Sequence, residues 1–120
     1  MTRLTLRIDF DKARQLGPGK VRLLELIGEH GSITAASRLM DMSYRRAWSL
    51  IVSLNKTFAE PVVVARTGGA GGGSAELTAK GQEVVRCYRA IEANALAAAA
   101  GDLDALQRSL AQRGKGEADD

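Results

Sequence analysis

Polar side chains gather between residues 43 and 49, where their types and spacing suit recognition of a nucleic acid. Ser43, Tyr44, Arg45, Arg46 and Ser49 supply two guanidinium groups and three hydroxyls within two turns of a helix. Arginine can bridge the O6 and N7 acceptors of guanine, and hydroxyls can bond phosphate oxygens or bases. Free backbone N–H groups at a helix N-terminus also favour phosphate. The run favours DNA contact over the alternative, a merely solvated helix face.

A glycine-rich stretch at residues 68–73 could cradle phosphate or form the tip of a hairpin. A P-loop needs a lysine followed by serine or threonine at fixed spacing, and no lysine follows before Lys80. Glycines permit close approach to a sugar–phosphate backbone, so a DNA-contacting wing explains them better, with a merely mobile loop as the alternative. The predicted wing contacts are Arg66, Thr67, Gly68, Gly69, Gly71, Gly72 and Ser74.

Residues for catalysis or metal binding are scarce. His30 and Cys87 are the single histidine and cysteine, so one chain cannot form a disulfide or a cysteine-based zinc site. No nucleophile, base and orienting group occur together around His30, and the paired aspartates lie in segments that look exposed. We therefore predict no catalytic residue, no metal, no cofactor and no enzymatic activity.

The charge of the chain is polarised along its length. Residues 1–58 carry ten Lys or Arg against five acids, a balance of +5, whereas residues 90–120 have a balance of −3. This polarity suits a polyanion-binding head with a solvated or partner-facing tail. The sequence shows neither a long apolar stretch nor a signal-peptide layout, which predicts a cytoplasmic protein without membrane contact.

Hydrophobic periodicity predicts a mainly helical amino-terminal half. Alternation from Leu4 to Phe10 indicates a half-buried strand, and helical spacing then indicates a first helix that ends near residues 28–31. Ser32 or Thr34 can cap a short second helix, and Ser43 a third that runs to Phe58. The predicted packed face of the third helix, with Trp48 as a structural residue, comprises Tyr44, Ala47, Trp48, Ile51, Leu54 and Phe58. Two roles stay open for Tyr44, because its ring can pack while its hydroxyl reaches the backbone of DNA.

The carboxy-terminal half predicts a hairpin and a long helix. Strands are expected at residues 62–64 and 74–78, and Thr78 can cap a helix of coiled-coil-like spacing that is interrupted at Gly101 and Asp102. The predicted dimerisation residues are Val84, Tyr88, Ile91, Leu96, Leu103, Leu106 and Leu110.

The expected fold class is mainly α with a small β-hairpin, arranged as a winged helix-turn-helix with a long C-terminal dimerisation helix. Residues 1–78 form the predicted DNA-binding domain with its N-terminal strand. Residues 79–113 form the dimerisation helix or helix pair, and residues 114–120 a disordered polar tail.

Two segments resemble the DNA-binding domain of the molybdate-responsive ModE regulators. One contains Gly-Ser-Ile at 31–33, Ala-Ala at 35–36 and Met-Ser-Tyr-Arg-Arg-Ala-Trp at 42–48; the other contains the glycine-rich wing and Leu-Thr-Ala-Lys-Gly at 77–81. LysR-type regulators have a similar head, but their wings are less rich in glycine. The resemblance covers roughly residues 4–110 and implies a homodimer that binds a palindromic operator and regulates molybdenum uptake or use.

The sequence departs from the ModE pattern after Leu110. Members of that family continue into molybdate-binding modules longer than the remaining residues, so we expect this chain not to sense molybdate by itself. The predicted function is a dimeric, sequence-specific regulator that binds double-stranded DNA, with a possible heterodimer with a full-length regulator. Two alternatives stay open: a protein-interaction module that heterodimerises with or inhibits a full-length regulator, and a small anion- or nucleotide-binding enzyme.

Overall fold

The computed structural model describes residues 2–66 and 73–113, and within these ranges the chain is mainly helical. Two short hairpins accompany the helices, one near the amino terminus and one between the third and fourth helices. The elements are β1 (Ile8–Asp9), β2 (Gln15–Leu16), α1 (Pro18–His30), α2 (Ile33–Leu39), α3 (Tyr44–Thr57), β3 (Val63–Arg66), β4 (Ser74–Leu77) and α4 (Ala79–Arg108). The expectation of a mainly helical chain with a small hairpin is confirmed.

The amino-terminal strand is shorter than the alternation predicted. Only Ile8 and Asp9 pair with β2, in register with Leu16 and Gln15. The residues before them still alternate between half-buried and exposed, but the Tyr88 hydroxyl of α4 donates to the carbonyl oxygen of Leu6 at 2.6 Å. The alternation correctly identified the inward side chains from Leu4 to Ile8 but not Phe10, which is 48% exposed. The predicted strand length was wrong because the residues before Ile8 lie against a helix rather than a partner strand.

Side-chain caps fix where three helices begin. The Ser32 hydroxyl accepts a hydrogen bond from the Ala35 backbone at 3.1 Å, so Ser32 and not Thr34 is the cap of α2. Ser43 and Thr78 cap α3 and α4 in the same way, accepting at 3.0 Å from the backbone N–H three residues on. Each cap satisfies a donor that the first helical turn leaves without a partner.

The hydrophobic core lies around α1, which packs against α2, α3, α4 and β4. The ion pair between Arg89 and Glu25, at 2.8 Å, closes the contact of α4 with α1, and the Arg89 guanidinium holds the pKa of Glu25 below its ordinary value of 4.5. The largest side chains that are almost fully buried are Tyr88, Leu23, Leu24, Ile27, Ile51, Leu54, Val21 and Val62.

The backbone at Val62 joins α3, the β3–β4 hairpin and α4. The Asn55 side chain accepts from the Val62 N–H at 2.8 Å and donates to the Val63 carbonyl at 3.1 Å. From the other side, the Thr78 N–H donates to the Val62 carbonyl at 3.0 Å. Gly81 packs so closely there that a Cβ at this position would collide with that carbonyl oxygen. We call this contact the Val62 junction.

The predicted break at Gly101 and Asp102 is wrong, because α4 is one helix of 30 residues. A glycine inside a helix costs only about 1 kcal/mol relative to alanine, and the alanine-rich segment before Gly101 supports the helix. None of the helices in the described ranges is both long enough and apolar enough to span a membrane.

The two glycines of α4 allow a matched test of the Val62 junction. We expect Gly81→Ala to lower the free energy of unfolding by about 1–3 kcal/mol, because the new methyl group must displace backbone. Gly101→Ala meets no atom within 4 Å and should raise it by about 0.5–1 kcal/mol. Urea unfolding, monitored by circular dichroism, measures the free energy of unfolding of both variants. Equal effects of the two changes would contradict the close packing at Gly81.

Candidate nucleic-acid interface

The outward face of α3 carries an ordered row of side chains. Ala47, Ile51 and Leu54 are buried on the opposite face, which fixes the orientation of the helix. The row, called here the reading stripe, advances by four, three and four residues and consists of Arg45, Ser49, Val52 and Lys56. Its first two members were predicted as site residues. Lys56 was expected on the polar face of the helix but was not named as a site residue, and Val52 was missed, although the spacing places both on the same row.

The cations of this face have no acidic partner within residues 2–66 and 73–113, the part of the chain that the structure describes. Among the described residues, Arg45, Arg46 and Lys56 of α3 form no ion pair, and neither does Arg38 of the neighbouring α2. Other described cations without an ion pair, Arg3, Lys12, Lys20 and Arg86, are scattered over the other segments of the chain, whereas Arg22 and Arg89 pair with glutamates. The only acidic residue between positions 33 and 57 is Asp41. An uncompensated cluster of this kind attracts a polyanion.

The turn between α2 and α3 sets where the first turn of α3 lies. Asp41 adopts a left-handed backbone conformation with φ of 54°, which aspartate tolerates better than most residues. The Met42 N–H donates to the Ser37 carbonyl at 3.0 Å and closes the turn. Ser43 then caps α3 with its side chain, and the exposed Arg45 and Arg46 follow within the first turn.

A groove of about 300 Å³ lies between α3 and the β3–β4 hairpin. It brings predicted recognition-helix and wing residues together, since Tyr44 lines it with Arg66 and Ser74. The full lining consists of Ile33, Thr34, Tyr44, Trp48, Ala65, Arg66, Gly73 and Ser74. We call it the α3–hairpin groove.

The prediction that Trp48 belongs to the packed face of α3 is wrong, and the Tyr44 ring, for which packing and DNA contact both stayed open, is not packed there either. Trp48 is 43% exposed and Tyr44 52% exposed, and both border the groove. Leu50 packs against the core in their place. Helical spacing put both aromatic residues near the buried side, but the position of the hairpin leaves that flank of α3 open.

The predicted wing residues are only partly within the described ranges. Arg66 and Ser74 face each other as the last aligned pair of β3 and β4. Arg66 also lies 3.7 Å from Glu76, an exposed and therefore weak ion pair. The other predicted wing contacts, Thr67, Gly68, Gly69, Gly71 and Gly72, lie outside the described residues.

The sequence of this chain is similar to those of several known proteins. No family model matches the chain. Over 79 residues it is 44% identical to the molybdenum-pterin-binding protein MopB of Rhodobacter capsulatus, and over 87 residues 39% identical to the molybdenum transport protein ModE of Azotobacter vinelandii. It is also 37% identical over 71 residues to the DNA-binding transcriptional dual regulator ModE of Escherichia coli.

Over these residues the chain is similar to ModE regulators and to molybdenum-pterin-binding proteins. The three matches cover 66%, 72% and 59% of this chain, respectively. They cover only 29%, 32% and 27% of the relatives, so the chain spans about a third of their length. The resemblance to ModE regulators seen in the sequence is confirmed for this part of the relatives.

The apolar residues of α4 fall into two groups, one buried and one exposed. Val84 and Tyr88, predicted to hold a dimer, are buried in the core of their own chain and have almost no surface left for a partner. Leu103 is half-buried. The other predicted dimerisation residues, Ile91, Leu96, Leu106 and Leu110, are exposed.

Catalytic and metal chemistry find no support among the described residues. No three or more His, Cys, Asp and Glu side chains in the described ranges are grouped so that they could hold a metal ion. His30 is exposed at the end of α1, 3.8 Å from Glu29. The site that the geometry does assemble is the basic, aromatic surface of α3 and the hairpin.

The exposure of Trp48 yields a direct test against a core position of the same helix. We expect Trp48→Ala to lower the free energy of unfolding by about 1 kcal/mol, because much of the ring already contacts water. Leu54→Ala empties a fully buried position and should cost about 2–5 kcal/mol. Thermal and urea unfolding compare the stability of the two variants. An equal loss of stability in both would contradict the exposed position of Trp48.

Proposed function

We propose that this chain is a dimeric winged helix-turn-helix transcription regulator that binds double-stranded DNA. In this proposal α2 and α3 form the helix-turn-helix, and the β3–β4 hairpin is the wing. The observation that carries the proposal is the set of unpaired cations on the outward face of a capped, firmly packed α3. Similarity to a DNA-binding transcriptional regulator and to other ModE transcriptional regulators supports it.

The proposed reading mode follows from positions on α3. The major groove admits a helix whose first turns reach the base edges. Arg45 and Ser49 lie on the reading stripe and are the candidates for base contact, with Val52 suited to the methyl group of thymine. Arg46 is on the adjacent flank, where it is suited to a phosphate, and the helix dipole adds a favourable field at the same end.

Dimerisation through α4 would place two such helices on one operator. Ile91, Leu96, Leu106 and Leu110 leave large apolar side chains in water, which a second copy of the chain would cover. A two-fold dimer presents identical reading helices to two half-sites, so its operator would be palindromic.

The proposed regulatory target is molybdenum uptake or use. It rests on relatives named for molybdenum transport and molybdenum-pterin binding. The chain spans only about a third of those relatives, so the link to molybdenum is a proposal about the regulated genes.

Removing single charges tests the DNA-binding proposal. We expect Arg45→Ala to weaken binding to a molybdenum-gene promoter duplex about tenfold and to reduce its preference over a scrambled duplex. Arg46→Ala should weaken both duplexes about equally and lower the slope of log K against log salt by about one. Fluorescence anisotropy of labelled duplexes, over a salt series, measures both effects.

Arg86→Ala is the matched control, because Arg86 is an exposed cation on α4, away from the reading stripe. It should leave affinity and salt slope within about twofold of the unmodified protein. Absent or salt-independent binding of the unmodified protein to every duplex would overturn the DNA-binding proposal.

A second function, a protein-interaction module that binds and inhibits another regulator, is favoured by the exposed leucines of α4.

A charge on α4 tests whether this helix forms the dimer. We expect Ile91→Glu to convert a dimer to a monomer and to abolish tight operator binding, because it places a charge in the apolar contact. Ala97→Glu, on the opposite side of the helix, should leave the dimer intact. Sedimentation equilibrium gives the oligomeric state of each.

The two functions give opposite results with the same variants. If Arg45→Ala and Arg46→Ala leave regulation in cells unchanged while Ile91→Glu abolishes it, the interaction module is the better description. If the arginine variants abolish regulation with the dimer intact, the DNA-binding function stands.

A further inference from the structure

We propose that the α3–hairpin groove holds one sugar–phosphate strand of the bound duplex, with deoxyribose packed on Tyr44 and Trp48. The inference rests on the DNA-binding function proposed above and adds an aromatic contact that the arginines of α3 do not supply. It assigns Trp48, which helical spacing placed in the core, to the bound nucleic acid.

The two aromatic rings are the first reason. Tyr44 and Trp48 are one helical turn apart on the flank of α3, and each leaves close to half of its surface in water. Ala47 and Ile51 already close the core beneath them. Large aromatic side chains beside a groove, not needed to seal the core, offer flat apolar surface to a ligand.

The polar rim of the groove is the second reason. Arg66 projects from the hairpin and shares the lining with the hydroxyl groups of Thr34 and Ser74. The ion pair between Arg66 and Glu76 is long, at 3.7 Å, and both side chains are mostly exposed. A phosphate can therefore replace Glu76 as the partner of the Arg66 guanidinium. One wall therefore suits a sugar and the rim suits a phosphate.

The neighbouring reading stripe identifies the occupant. A helix seated in the major groove is bordered on each side by a phosphate strand. Arg45 and Ser49 occupy the outward face of α3, and the aromatic pair lies on the flank towards the hairpin. The strand on that side must pass between α3 and the hairpin, where the groove lies. The unpaired cations of α2 and α3 match its charge.

The chain contains a single tryptophan, so the unmodified protein reports on the groove directly. Titration with unlabelled promoter duplex should quench Trp48 emission and lower its acrylamide quenching constant about twofold or more. Anisotropy of a labelled duplex, measured in parallel, establishes independently that DNA is bound.

Variants separate the sugar contact from the phosphate contact. Trp48→Ala should weaken DNA binding about fivefold without changing the salt slope, and Trp48→Phe should restore most of the affinity because it keeps an aromatic face. Arg66→Ala should lower the slope by about one, and Glu76→Gln should strengthen binding about twofold because it frees Arg66. Glu83→Gln, which alters an ion pair on α4, is the matched control.

The outcomes distinguish this inference from the function on which it rests. Duplex binding with unchanged Trp48 emission and acrylamide access overturns the inference and leaves the DNA-binding function standing. Trp48 shielding that grows with protein concentration in the absence of DNA assigns the groove to a second copy and also overturns it. If the unmodified protein binds no duplex, the proposed function itself is overturned.

Discussion

The Val62 junction is the constraint on which the rest of the structure depends. Asn55 is suited to it because an amide both donates and accepts, and it satisfies the N–H groups of Val62 and Val63 as well as a carbonyl. Thr78 and Gly81 hold the same backbone from the side of α4. One buried segment thus fixes the hairpin relative to α3, and the width of the α3–hairpin groove follows from it.

Local chemistry predicted most of the elements. The caps at Ser43 and Thr78 and the turn at Gly31 depend on a few neighbouring residues, so their positions can be inferred from sequence spacing. The exposure of Trp48 could not be inferred, because it depends on where a hairpin docks that is distant in sequence. Gly101 also misled, since helix propensity is summed over many residues and neighbouring alanines outweigh one glycine.

The candidate site was predictable in its residue types but not in its arrangement. Arg45, Arg46 and Ser49 stand exposed, as their spacing predicted. Which cations keep a free charge depends on contacts between distant segments, as when Arg89 binds Glu25 across 64 residues. Cations are paired where α4 meets α1 and unpaired where α3 faces outward. The free cations of α3 therefore lie on its outward face, which is the surface that we propose binds the nucleic acid.

The unbroken α4 has a consequence for the length scale of recognition. Thirty residues at 1.5 Å per residue give a rod of about 45 Å, longer than the ~34 Å turn of B-DNA. Without a hinge at Gly101, a pair of chains joined along this rod would hold their heads at a fixed separation and angle. Binding by such an assembly would depend on the rotational position of the two half-sites around the double helix as well as on their base sequence. Half-sites displaced by half a turn would face away from one of the two heads.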